Sequence, residues 1–301
     1  MEIEVFDEES AKPAPPPSIV RAAEPSSQSS EASPASLPEA EGVLAIQHVL
    51  RGLHSIGAHP VSLQLVYLAV NVSSLGLKDI SLLANYSNLV IVDISNNLID
   101  SLEILSRIPY LTTLNASQNL LERCLDFAPP LCHAESAWSQ GQYAIGSMLT
   151  YADLSKNNIA TIGDIHQHEF LECLLLKDNA IESTFGLQNL RYLLVLDLTN
   201  NRLTSLDSLD GLRLQELYIS GNRLVSLEGL SRLSSLRILH ADSNLIETTA
   251  PLVHIPTLRE ISVSRNRVPK ICDLQHLHGL QHLVSVNFDG NPCSSKPFYR
   301  Y

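Results

Sequence analysis

Cysteine is scarce in this chain and widely scattered. Five occur among 301 residues, Cys124, Cys132, Cys173, Cys272 and Cys293, with no CxxC pair. An odd number at wide spacing argues against a disulfide framework and against a cysteine zinc site, and predicts reduced, mostly buried thiols. Uninterrupted apolar runs of about 18 residues are absent, so no membrane-spanning helix is expected. The first residues, MEIEVFDEES, are acidic. A secretory signal starts basic and continues apolar, so the cytoplasm is the expected compartment. Basic charge is in short supply: 20 Lys and Arg stand against 32 Asp and Glu, for a net charge of −12. Without basic clusters, a nucleic-acid partner is not expected. A GxxxxGK[ST] phosphate loop, a GxGxxG before a helix and an HExxH are all missing. Nucleotide, dinucleotide and zinc-hydrolase chemistry therefore have no foothold, and no cofactor, metal, catalytic residue or small-molecule substrate is expected.

What is present falls into three parts. Residues 1–41 are Pro, Ser, Ala and Glu with few large apolar groups, and nine acids face only Lys12 and Arg21. Such a segment buries too little surface to offset its ordering entropy, which predicts a disordered acidic arm. In residues 42–60, Val43, Leu44, Ile46, Val49, Leu50, Leu53 and Ile56 fall at helical spacing before Gly57 and Pro60. That pattern predicts an amphipathic helix over 42–56, capping the N-terminal end of the remaining chain.

Residues 61–301 repeat. The unit is L-x-x-L-x-L-x-x-N-x-L followed by apolar residues every third position. Units begin at Tyr67, Leu89, Leu111, Leu149, Leu171, Leu193, Leu214, Leu236, Leu258 and Leu283, with a usual step of 22. A fixed period of this length is the mark of a solenoid: each unit has an apolar side that it cannot bury alone. The fold class expected is an α/β solenoid, a leucine-rich-repeat horseshoe. Its concave face is a parallel β-sheet and its convex face carries 3-10 turns or short helices.

Nine units carry one asparagine at a single phase: Asn97, Asn119, Asn157, Asn179, Asn201, Asn222, Asn244, Asn266 and Asn291; the first unit has Leu75 there. After each strand the chain must turn where its backbone groups lose water. One asparagine side chain supplies two donor hydrogens and an acceptor, which predicts a buried ladder of stacked asparagines.

One step is longer by a 16-residue insertion, placed at about 131–147, which holds the only tryptophan, Trp138. Insertions in solenoids leave the core as loops, and Trp138 is a candidate partner anchor, or else folds back over the widened turn. The end, GNPCSSKPFYRY, carries Phe298, Tyr299 and Tyr301, which read as a short closing plug or as the start of a cap in a longer chain.

Because strand residues alternate, the residues of the sheet's open face can be named in advance. Its middle carries Tyr151, Cys173, Leu175, Val195, Tyr218, Ile238 and His240, flanked by Asp153, Asp197, Glu216 and Glu260. An apolar-aromatic strip of this kind points to a protein interface. The histidines at His166 and His168, and at His276, His278 and His282, read as outer-turn and solvated positions rather than metal ligands. His240 near Asp242 or Tyr218 reads as a partner contact rather than a catalytic base.

The unit resembles the short, roughly 22-residue class of leucine-rich repeats. That class includes the regulatory subunit of protein phosphatase-1, the axonemal dynein light chain and radial-spoke leucine-rich-repeat proteins. NYSNLVIVDISNNLIDSL (85–102), PYLTTLNASQNLL (109–121), FAPP (127–130) and LTYADLSKNNI (149–159) are more specifically similar to the family of leucine-rich-repeat and guanylate-kinase-domain proteins. Two features depart from that family. The insertion after Pro130 is extra, and the guanylate kinase domain is missing, so no kinase residue carries over. The resemblance implies a non-enzymatic scaffold or adaptor with an axonemal or cytoskeletal protein partner, in the cilium or flagellum. The alternatives are a regulatory subunit of a protein phosphatase and the N-terminal part of a guanylate-kinase-domain protein.

Overall fold

A computed structural model describes residues 42–58, 63–128 and 149–295. The acidic arm, the insertion with Trp138, and Phe298, Tyr299 and Tyr301 lie outside the described residues.

Why the repeats become strands is visible in any one of them. In Val195–Asp197 the middle residue, Leu196, points into the core and is fully buried, while Val195 and Asp197 face out and are half-buried. Three residues are too few to stand alone, but each strand hydrogen-bonds to the next. The strands in order are β1 (Leu53–Ala58), β2 (Leu65–Asn71), β3 (Ile91–Asp93), β4 (Thr113–Asn115), β5 (Tyr151–Asp153), β6 (Cys173–Leu175), β7 (Val195–Asp197), β8 (Glu216–Tyr218), β9 (Ile238–His240), β10 (Glu260–Ser262) and β11 (Ser285–Asn287). They form one sheet in sequence order. From β2 onward every pairing is parallel and advances by one repeat, so equivalent residues line up in straight rows.

The inward row, Val92, Leu114, Ala152, Leu174, Leu196, Leu217, Leu239 and Ile261, is at 0% exposure throughout. The last strand departs: Val286, in the same row, is 47% exposed. The three-residue apolar spacing after each turn becomes 3-10 geometry, as expected. In Glu103–Arg107 and its flanks, Leu105 N–H donates to the Leu102 carbonyl at 2.9 Å and Ile108 N–H to the Leu105 carbonyl at 3.0 Å. An i to i−3 bond keeps Leu102, Leu105 and Ile108 on one inward side.

The asparagine ladder is built as the repeat phase predicts. Asn201 Oδ1 accepts the Ile181 N–H at 2.9 Å, and its Nδ2 donates to the carbonyls of Leu176 at 2.9 Å and Leu198 at 3.0 Å. One side chain thus satisfies backbone groups of its own coil and of the coil before it. Eight of the nine are buried, and Asn179 is half-buried. In the first unit, where Leu75 stands instead, the Leu75 and Leu77 N–H groups both reach Asn97 Oδ1 at 3.0 Å. The residue before each ladder asparagine sits in the left-handed region: Asn96, Gln118, Lys156, Asp178, Asn200, Gly221, Ser243, Arg265 and Gly290 all have positive φ. That turn aims the asparagine inward. Non-glycine residues adopt it at some cost, which the ladder bonds offset.

The N-terminal element is a correction. The apolar spacing predicts a helix over 42–56; the helix α1 spans only Ile46–Gly52, and the chain then enters β1, antiparallel to β2. Val49 and Leu44 are buried, but Ile46, Leu50 and Ile56 are 59%, 62% and 63% exposed. Two causes favour the strand. Within Leu-His-Ser-Ile-Gly-Ala, Gly57 and the β-branched Ile56 disfavour a helix. The outer edge of β2 also presents backbone groups that a helix could not pair. Gly52 makes the crossing possible, since a Cβ there would lie 2.0 Å from the Asn71 carbonyl oxygen.

Candidate partner-binding face

The eleven face residues named from the sequence fall in two adjacent rows. Tyr151, Cys173, Val195, Glu216, Ile238 and Glu260 are register partners along β5 to β10, and so are Asp153, Leu175, Asp197, Tyr218, His240 and Ser262. All eleven are half-buried, as side chains standing on a sheet should be. The structure brings them together as a single strip.

Within the strip the polar groups engage one another. Tyr218 Oη donates to Glu216 Oε2 at 2.9 Å, and the Tyr218 and His240 rings meet edge to face at 5.1 Å. His240 Nε2 lies 3.0 Å from Glu260 Oε1. Of the two neighbours expected for His240, Tyr218 is in contact, and Asp242 turns to the next coil. Its Oδ1 accepts the Ser262 hydroxyl at 2.5 Å and the Ser264 N–H at 2.7 Å. Burial pushes the Asp242 carboxyl up, but those hydrogen bonds and nearby His240 outweigh it and hold it below the usual range.

The field over the strip is negative. Burial, then Asp153 and Cys173, push the Tyr151 hydroxyl up to about 12. Burial, then Asp153, Glu216 and Asp197, push the Cys173 thiol up to about 12. Burial, the bond to Glu216, and the Glu216, Asp197 and Glu260 charges raise Tyr218 as well. Cys173 is thus a neutral thiol suited to contact; a nucleophile needs the thiolate.

The structure also gives two of the named residues a job that the sequence reading missed. Asp153 Oδ1 accepts the Ser155 N–H at 2.9 Å, and Asp197 Oδ1 accepts the Thr199 N–H at 2.8 Å. The same side-chain turn recurs in this row at Asn71, Asp93, Asn115 and Asn287. Each caps the backbone as the chain leaves its strand. A sequence signal existed: Asn or Asp followed two residues later by Ser or Thr, as in Asn71-Val-Ser, Asp93-Ile-Ser and Asp197-Leu-Thr. Leu175, Tyr218, His240 and Ser262 stand in this row without that cap; after His240 and Ser262 a side chain of the preceding coil replaces it, Ser220 Oγ accepting the Asp242 N–H at 3.0 Å and Asp242 Oδ1 the Ser264 N–H at 2.7 Å.

The histidine pair on the outer turn is a further correction. His166 is exposed and 2.7 Å from Asp164, whereas His168 is 1% exposed. The two point to different environments and do not converge. His168 stands where neighbouring units have Ile108 and Leu190. Its Nε2 lies 3.1 Å from the Phe127 carbonyl, and the two rings meet edge to face at 4.9 Å. The imidazole supplies a donor to that carbonyl. Burial, its largest influence, keeps the His168 pKa below the usual value. His278 and His282 are exposed.

No protein-family model matches the chain. The chain is 30% identical over 238 residues to bovine (Bos taurus) leucine-rich repeat-containing protein 23, covering 78% of this chain and 64% of that protein. It is 40% identical over 106 residues to the human leucine-rich repeat and guanylate kinase domain-containing protein, covering 35% of this chain and 13% of that one. Over 87 residues it is 30% identical to human cilia- and flagella-associated protein 410, covering 29% of this chain and 34% of that protein. The chain thus spans less than two thirds of the length of each of these relatives. Among solved structures, the internalin InlF of Listeria monocytogenes superposes with a TM-score of 0.60 at 21% identity, covering 74% of this chain and 61% of that one. That likeness shows the fold.

Proposed function

Because the chain is a leucine-rich-repeat protein, we propose that it is a non-enzymatic scaffold or adaptor of the cilium or flagellum, docking a protein partner on the open face of its sheet. One observation carries the docking. Among the described residues, six coils close their strand ends with an Asn or Asp cap from this row, and the turns after β9 and β10 are capped by Ser220 and Asp242 instead, yet β6 and β8 put Leu175 and Tyr218 in the row with no cap in their place. A local rule broken on an open face marks positions available for another purpose. The residues installed are an aliphatic side chain and a tyrosine, and aromatic anchors in particular dominate interface energetics. The ciliary setting rests on the relatives, one of which is a cilia- and flagella-associated protein.

Affinity capture tests the docking. The intact chain should retain a partner that also binds directly once purified, and Leu175→Ser with Tyr218→Ala should lose it while unfolding at the same temperature. Retained capture by the folded double variant refutes the reading. Detergent extraction tests the setting. A protein that stays with demembranated axonemes supports it, whereas one that washes out with a phosphatase supports a regulatory subunit using the same face.

A further inference from the structure

We infer that the partner segment is a basic amphipathic α-helix of about four turns, laid along the sheet across its strands; this rests on the docking reading above. Charge is the first argument. Asp153, Asp197, Glu216 and Glu260 border the apolar anchors, and among the described residues none of the four is paired with a lysine or arginine. Glu260 meets only His240. Burial is the first cause of the raised Tyr151, Cys173 and Tyr218 groups, and the neighbouring carboxylates add to it. A partner bearing lysine or arginine offsets the negative charge of these carboxylates; an acidic partner adds to that charge.

Geometry is the second argument. Adjacent strands lie ~4.8 Å apart, close to the ~5.4 Å rise of one helical turn. A helix crossing the strands therefore offers one side chain, at i, i+3 or i+4, to each strand in succession. Its apolar stripe meets Leu175, Val195, Tyr218 and Ile238, and basic residues on either flank meet the carboxylates. The path from β5 to β10 is about 24 Å, or roughly 16 helical residues.

The test uses the full chain and two 16-residue helical peptides, one with a leucine stripe flanked by lysines and one with glutamates in their place. The lysine peptide should bind. Its Kd should rise at least about tenfold in Glu216→Gln/Glu260→Gln and on raising the salt, since desolvated charge pairs and steering both weaken. The glutamate peptide should not bind. Asp207→Asn/Glu247→Gln, which neutralises two exposed acids away from the strands, should leave the lysine peptide unaffected. Equal binding of both peptides, or a lysine-peptide Kd indifferent to Glu216→Gln/Glu260→Gln, overturns the inference. Capture of the natural partner separates the two claims. Loss in Leu175→Ser/Tyr218→Ala but not in Glu216→Gln/Glu260→Gln overturns the basic helix alone. Persistence in both overturns the docking reading with it.

Discussion

Asp197 at the end of β7 and Tyr218 at the end of β8 are register partners, one coil apart, on the same open face. Asp197 bends back to hold the Thr199 N–H. Tyr218 reaches out to Glu216 and His240 and leaves its own turn uncapped. The contrast widens at the ladder, only a few residues further on, where Asn201 and Asn222 make the same set of bonds. Where the backbone is buried, every coil must solve one problem in one way. On the sheet face water can serve an uncapped N–H, so individual coils are free to carry something else.

The largest expected effect comes from the invariant side. Asn201→Ala leaves the buried Ile181 N–H without a partner and takes one of two donors from the Leu176 and Leu198 carbonyls, which should destabilise the chain by ~1–3 kcal/mol. A chemical-denaturation midpoint that does not move contradicts the ladder. His168→Leu sharpens the contrast within the outer turns, since it restores the apolar residue of the other coils. It also removes the donor to the Phe127 carbonyl, at a cost of about 1–2 kcal/mol at neutral pH. The sign of its pH dependence follows from the lowered pKa. The neutral ring's contribution is complete above the ordinary histidine value of 6.5 and is lost as the pH falls from there through the lowered folded value. The gap between wild type and His168→Leu should therefore narrow on acidification, as melting temperatures at a series of pH values will show.

Asp197→Ala removes one exposed-face cap and should cost about 1 kcal/mol, as helix caps do, while Asn201→Ala costs as much or more. The smallest stability effect is expected from Leu175→Asn, which installs the cap found at Asn71 and Asn115. The gained bond to the Lys177 N–H offsets the lost half-buried contact, so stability should stay within ~0.5 kcal/mol. Partner capture should nonetheless fall. A large loss of stability without a change in capture would reverse the assignment of that row.

Much of the fold is legible in the residues alone. The 22-residue period, the phase of the asparagines and the three-residue spacing after them name the solenoid, its ladder and its 3-10 turns. Strand alternation places Tyr151 and Tyr218 on the open face. Other features depend on contacts between distant residues. The stretch Leu53–Ala58 has helical spacing, but the unpaired edge of β2 claims it as a strand. His168 follows the same periodicity as a leucine, and the backbone of Phe127, 41 residues away, and that of Leu125 explain a buried imidazole. The caps at Asp153 and Asp197, by contrast, are local, each holding the N–H two residues on, and the Asn or Asp before Ser or Thr is a legible signal for them.

By itself, the sequence determined the repeat, because a short coil with one oily side has no stable form except a stack. It determined equally that each coil would need one polar side chain inside, since turning a buried backbone demands donors and an acceptor at a set place. Only the tertiary structure decided what the exceptions do: where His168 finds the Phe127 carbonyl and where the edge of β2 claims Leu53–Ala58 as a strand. Those contacts join residues far apart along the chain, facts of distance that no local spacing contains.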